Sequence, residues 1–375
     1  MKKLNITAIK IKMEKLGLNQ SNLADSLGIS RESVSQWLKN AKMPRPAYLL
    51  KLATILQMSF SEIVLKEEDA IGSFAYRTHK KVKTDEYRAE HATIVMEYLH
   101  EIFKDAEPSS LLSIPNLKEP SNQYAYIQKA VASFRKILNL TQDQIVTPKH
   151  ILNYMQSFPI VFIPVLWGEK GDQALVIHLH KLHVFCLYLN VETKVCDFTF
   201  WLLHELAHIL TPGLGKKEAE LFADSFAGAL LFPEPCVQTL FEKISPISNV
   251  GIKITMILEE AKMRSVAPIC IFKEINGFLT KNGMPVLDFD IYGASTNYFR
   301  SVPLLSDVLF EAKRPPAQKY IEVTSEYFGS DFWDALSTWV VENNKTSSAV
   351  QTVLNIPLSD AKEIWAYLNK KEIST

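Results

Sequence analysis

The chain has 375 residues, 47% hydrophobic and 22% charged, with 41 basic and 41 acidic side chains. That length and apolar content fit two or three globular domains and exclude a disordered chain; no uninterrupted apolar run approaches the ~18 residues that span a bilayer, and the lysine-led N-terminus does not read as a leader. Four cysteines, Cys186, Cys196, Cys236 and Cys270, lie far apart without a CxxC pair, which argues against a disulfide framework or sulfur-ligated zinc and for reduced thiols in the cytoplasm.

The balanced charge conceals an asymmetry. Residues 1–66 hold 11 Lys and Arg against 4 Asp and Glu, and the remainder holds 30 against 37. A small basic unit ahead of an acidic body points to a nucleic-acid contact at the front, because clustered cations attract phosphates.

Residues 4–64 read as short helices broken at Gly17, Gly28 and Pro44/Pro46, with no strand-period alternation. In "NQSNLADSLGISRESVSQWLKNAKMPRP", Leu23, Ala24 and Leu27 face inward on one helix and Val34, Trp37 and Leu38 on the next. Gly28 supplies the positive φ of the turn between them, and Ser30 caps the second helix. This stretch resembles the Cro/repressor-type (XRE) helix-turn-helix family. The resemblance implies binding to double-stranded DNA, with Arg31, Glu32 and Gln36 at base edges in the major groove and Gln20, Lys39, Asn40 and Lys42 on phosphates. Lys39-Asn40-Ala41 departs from the Asn-Gly of many relatives.

Next come a basic tract, "RTHKKVK", and a helical connector over 84–103 with Tyr87, His91, Ile94, Val95, Leu99 and Phe103 on one side, suited to connecting domains or to homodimerisation. Prolines and serines over 108–121 mark a linker. The second body opens with a helix over 124–138, then "FPIVFIPVLW", "ALVIHLHKL" and "HVFCLYLNV" as strands, an α+β pattern. Helices over 196–210 and 216–231 follow, stopped by Thr211-Pro212-Gly213 and by Pro233. The expected division is 1–66 for DNA binding, 67–120 for connector and linker, 121–293 for the α+β domain, and 294–375 for a helical region whose final hairpin serves packing or dimerisation.

Within "FWLLHELAHIL", His204 and His208 lie four apart and share one helix face, with Glu205 beside them. Two neutral imidazoles leave Zn²⁺ most of its charge, and a neighbouring carboxylate can act as general base, here Glu205. Glu220 is the candidate third ligand, with Glu218 as the alternative, and Asp224, one turn beyond Glu220, can orient a ligand histidine. The run "VIHLHKLHVF" is read as solvated or substrate-contacting His178, His180 and His183 rather than a second metal site.

"HELAHIL" followed by "ExxxDSFAGALLFP" is similar to the ImmA/IrrE family of metallopeptidases over residues 121–290. The resemblance implies a zincin-like (gluzincin) fold, Zn²⁺ as cofactor, and cleavage of repressors of the helix-turn-helix type. Ala207 stands where the family usually has Gly, and Trp201 where it often has Thr. The expected protein is a transcriptional regulator with a zinc endopeptidase domain that cuts a repressor-like protein or itself. The alternative is a non-enzymatic antitoxin or repressor whose second body binds a cognate toxin or senses a ligand.

Overall fold

The computed structural model describes residues 3–39, 42–65, 71–77, 86–105, 114–311 and 314–371. The chain forms two compact units, residues 1–73 with 179–181, and residues 74–178 with 182–375.

The first unit contains β1 (Lys3–Leu4), α1 (Ile6–Lys15), α2 (Gln20–Leu27), α3 (Arg31–Leu38), α4 (Pro46–Leu56), α5 (Phe60–Ile63) and β2 (Val64–Leu65). Helix starts are set by side-chain caps: Asn5 accepts from the Ala8 amide at 3.1 Å, Asn19 from Asn22 at 2.9 Å and Ser30 from Ser33 at 3.2 Å. Gly28, at φ 70°, ends α2 in the left-handed conformation that glycine adopts at least cost. Leu23, Ala24, Leu27, Val34, Trp37 and Leu38 are buried with Ile9, Leu49, Leu52 and Leu56 in one core. The expectation of a purely helical unit needs one correction, since β1 and β2 pair antiparallel. Strands of two residues are too short to leave an alternating pattern.

In the second part of the chain the elements are β3 (Gly72–Arg77), α6 (Glu86–Phe103), α7 (Tyr124–Ile137), α8 (Pro148–Met155), β4 (Ile160–Val165), β5 (Ala174–Leu179), β6 (Val184–Asn190), α9 (Val195–Leu210) and α10 (Lys216–Leu231). They continue with α11 (Glu234–Ile244), α12 (Val250–Arg264), α13 (Pro268–Lys281), α14 (Tyr292–Ser301), α15 (Leu305–Leu309), α16 (Ala317–Phe328), α17 (Phe332–Glu342), α18 (Ser347–Leu354) and α19 (Leu358–Lys371). The strand order is β3-β5-β6-β4. β4 runs parallel to β6, with Ile160 opposite Phe185 and Val165 opposite Asn190.

β4 is an edge strand whose chemistry suits that place. Pro164 has no amide hydrogen to offer, and its carbonyl, like that of Phe162, points away from β6. The Tyr320 hydroxyl donates to the Pro164 carbonyl and the Ser330 hydroxyl to the Phe162 carbonyl, each at 2.7 Å. Side chains from α16 and from the turn between α16 and α17 thus cap an edge that would otherwise invite another strand. Trp167 and Tyr188 are tied to the same helices, donating to the carbonyls of Leu354 and Val353 at 2.8 Å.

The segment expected to be a helical connector holds a strand, β3, and then α6. Ala92, Val95, Met96, Leu99, Ile102 and Phe103 are buried on α6, whereas Ile94 is 42% exposed. The buried stripe is therefore rotated from the expected one. α6 packs on α17 and α18, and Glu101 accepts from Trp339 and Lys345 at 3.2 and 3.1 Å.

Between α7 and α10, Phe222 and Phe226 of α10 stack on each other and Phe134 of α7 meets Phe226 edge-on. Arg135, 1% exposed, ties this layer to the loop after α7. Its guanidinium donates to the carbonyls of Thr141, Gln144 and Leu230, the last in the final turn of α10, where carbonyls lack helical partners. Replacing Arg135 by Met keeps the volume and strands these acceptors. Arg135→Met is expected to destabilise the larger unit by about 3 kcal/mol, read from its transition in chemical denaturation.

Candidate metal centre and nucleic-acid interface

In the N-terminal unit, burial of Val34, Trp37 and Leu38 turns the opposite face of α3 outward. Glu32, exposed, and Gln36, half-buried, lie on that face, and Arg31 is exposed at the first position of the helix. Trp37 meets Tyr48 of α4 with ring centroids 5.7 Å apart, which fixes the rotation of α3. Gln20 begins α2, directly after its Asn19 cap, and is half-buried. Lys39 caps the C-terminal end of α3, and the Lys42 amide donates to the Gln36 carbonyl at 3.4 Å, so both exposed lysines sit at the exit of the helix. Asn40, also expected to contact phosphate, lies outside the described residues.

In the larger unit α9 spans Val195–Leu210, and Leu202, Leu203, Leu206, Ala207 and Leu210 are buried along it. The Thr211 hydroxyl donates to the Ala207 carbonyl at 2.7 Å, and Pro212 follows, which ends the helix one turn after His208. α10 begins after Gly215 and packs alongside. The four-residue spacing on each helix then sets two polar pairs against each other: His204 and His208 on α9, Glu220 and Asp224 on α10.

His204 Nε2 and His208 Nε2 lie 2.9 Å apart. Glu220 places Oε1 3.4 Å from His208 Nε2 and Oε2 3.9 Å from His204 Nε2. A tetrahedral ion with bonds of ~2.1 Å holds its ligand atoms ~3.4 Å apart, and the three observed separations bracket that value. Two imidazole nitrogens and one carboxylate also match the donor chemistry zinc accepts. Among the described residues, this is the grouping of three His, Cys, Asp or Glu able to hold a metal ion.

Around this cluster the other site residues take distinct places. His204 is fully buried, and its Nδ1 lies 2.8 Å from Asp224 Oδ1, a polar contact without well-aligned hydrogen-bond geometry. Glu205 is 4% exposed and is not one of the converging donors. Trp201 and Phe200 set their rings 5.7 and 6.3 Å from that of His204. Glu218 is exposed and outside the cluster; its carbonyl accepts from Asn122 at 3.3 Å. His178 stacks on Phe185 at 4.0 Å, His180 Nε2 is 3.1 Å from Ser73 Oγ, and His183 occupies the left-handed turn before β6. The three therefore have separate surroundings. All four cysteines are buried and unpaired with one another, and burial raises each thiol's pKa.

Two carboxyls that the motifs did not single out lie near the site. Asp197, in the first turn of α9, has its pKa pushed up to about 6 by burial. Glu274, on α13, is pushed up to about 8 by burial, partly offset by the Lys273 ammonium. Asp197 is two helical turns before His204 and shares its face, a spacing readable from the sequence. Glu274 carries no local signal, because α13 reaches α10 only through the tertiary fold. A carboxyl held neutral by the fold stabilises the protein most at low pH. That contribution falls as pH rises from the ordinary value of 4.5 toward about 8. Across that window the melting temperature of the wild type is expected to fall more steeply than that of Glu274→Gln in differential scanning calorimetry; equal slopes would show that Glu274 is not held neutral.

Residues 9–63 match the family model described as helix-turn-helix. No solved structure matches the chain. Among the described residues, no helix is long and apolar enough to cross a membrane. The match spans the stretch whose caps, turn and core are described above. The N-terminal unit is an XRE-type helix-turn-helix domain that binds double-stranded DNA, as in a DNA-binding regulator.

Proposed function

We propose that this regulator carries in its larger unit a zinc-dependent endopeptidase of zincin-like build, acting on a repressor-like protein or on the chain itself. The observation that carries the reading is the convergence of His204, His208 and Glu220 at ligand spacing on two packed helices. The motifs HELAHIL and ExxxDSFAGALLFP, which resemble those of the ImmA/IrrE metallopeptidases, support it from the sequence side. His204, His208 and Glu220 would hold the ion, and Asp224 beside His204 Nδ1 would keep that ring turned with Nε2 toward Glu220. Zn²⁺ at this place supplies a Lewis acid that polarises a peptide carbonyl and acidifies water. Glu205 takes the proton of the attacking water on its carboxylate and returns it to the departing amide nitrogen.

On the DNA side, Arg31, Glu32 and Gln36 read base edges from the outward face of α3, and Gln20, Lys39, Asn40 and Lys42 hold phosphates. Arg31→Ala and Gln36→Ala are expected to relax preference at particular base pairs, whereas Lys39→Ala and Lys42→Ala weaken binding to all sequences and flatten its salt dependence. Fluorescence anisotropy on operator and scrambled duplexes over a salt series distinguishes the two classes.

Metal analysis of the purified protein is expected to give one zinc per chain. His204→Ala, His208→Ala and Glu220→Ala should each weaken the site by about tenfold or more, since each removes a ligand. Full zinc occupancy in His204→Ala would remove the proposed centre. Glu205→Gln keeps the ligands and nearly the same shape, so it is expected to retain zinc, fold and DNA binding while cleavage of the target stops. If the Glu205→Gln strain regulates like the wild type at equal protein level, the larger unit is a binding module for a toxin or a ligand and not a protease.

A further inference from the structure

A cavity of about 530 Å³ opens between α7, α9, α10 and α13, within the size range of small-molecule sites. It lies on the Asp224 side of His204, behind the ring that turns Nε2 to Glu220. Its walls are largely apolar: Ile127, Phe200, Leu231 and Val266 line it, and Leu221 stands at the rim, 52% exposed. Set into these walls are the carboxyls of Asp197, Asp224 and Glu274. The packing makes room for the deepest of them, since a Cβ at Gly228 would strike Glu274 Oε1.

We propose that this cavity is a binding site for an organic ammonium ion with an apolar body, the body against the Leu and Val walls and the cation among Asp197, Asp224 and Glu274. Three carboxyls face one lysine, Lys273, on this surface, and no other lining side chain is cationic. A cation is therefore the occupant whose charge the lining complements. The groups facing Glu274 are Lys273, Tyr124 and the Cys270 thiol, and that thiol also feels the charges of Asp197 and Asp224, so the acids gather along one wall. Burial holds Glu274 near pKa 8, so at neutral pH it is mostly protonated, and arrival of an ammonium ion drives its proton into solvent. The site shares Asp224 with the proposed metal centre, but His204, His208, Glu220 and Glu205 do not line it, and Glu274 and Lys273, which the test changes, lie outside that centre.

The test is calorimetric titration of the full-length protein with phenylpropylamine, phenylpropanol and phenylpropionate, three probes with one apolar body and different head groups. The amine is expected to bind about tenfold or more tighter than the other two. Its binding near neutral pH should release protons, read from the dependence of the heat on buffer ionisation enthalpy. Glu274→Gln should weaken the amine by about tenfold or more and leave the alcohol unchanged. Lys273→Met, at an exposed position, should strengthen the amine, which keeps the test decisive if the Glu274 variant fails to fold. Equal binding of amine and alcohol, no amine binding at millimolar concentration, or an amine affinity indifferent to both substitutions overturns the proposal. Zinc content, measured on the same samples, stays constant and keeps this result separate from that of the metal centre.

Discussion

A fully buried histidine, His204, is the constraint around which the larger unit is arranged. An imidazole withdrawn from water needs polar partners on both nitrogens, or its burial costs several kcal/mol. His208 of α9 meets Nε2 at 2.9 Å, and α10 brings two carboxylates one turn apart to the same ring, Glu220 Oε2 3.9 Å from Nε2 and Asp224 Oδ1 2.8 Å from Nδ1. That arrangement demands close helix contact. Ala223 and Ala227, both buried, share the face of α10 that carries Glu220 and Asp224, and small side chains there let the helices approach. Phe222 and Phe226 of α10 stack on each other and meet Phe134 of α7 edge-on, so directional ring contacts seat α10 on α7 as well.

The rest of the unit holds this pair in place. α9 leaves β6 through residues 191–194, whose backbone is fixed by Leu305 and Ser306 amides donating to the Thr193 and Val191 carbonyls. The sheet is held in turn by the C-terminal helices, which cap the β4 edge with hydroxyls and cover α6. Residues far from the motif thereby decide how rigidly the histidines are presented. A metal site needs that rigidity, since ligand positions must stay within a few tenths of an ångström of their mean.

The two units use charge in opposite ways. In the helix-turn-helix domain, cations stay at the surface, where their attraction to phosphate is long-ranged and screened by salt. In the larger unit, carboxyls are drawn inside, where burial raises the cost of charge and moves Asp197 to about 6 and Glu274 to about 8. The first arrangement suits a polyanion of any sequence with a few base contacts added. The second suits a ligand that brings its own charge into an apolar enclosure.

Much of this was legible in the chain itself, and for a physical reason: helix periodicity is local. The i, i+4 spacing placed His204 with His208 and Glu220 with Asp224 on common faces before any packing was known. The Leu23-Ala24-Leu27 and Val34-Trp37-Leu38 triplets with Gly28 between them likewise defined the helix-turn-helix, because caps, turns and inward faces depend on neighbours a few residues away. What the tertiary structure decided is everything that couples distant segments. It chose Glu220 over Glu218 as the carboxylate facing the histidines, a choice of helix rotation that only the α9–α10 packing sets. It rotated the buried stripe of α6 to meet α17 and α18, assigned hydroxyls to the open edge of β4, and enclosed Glu274 with Asp197 in one cavity. Those outcomes depend on which surfaces meet, and local periodicity carries no information about a partner dozens of residues away.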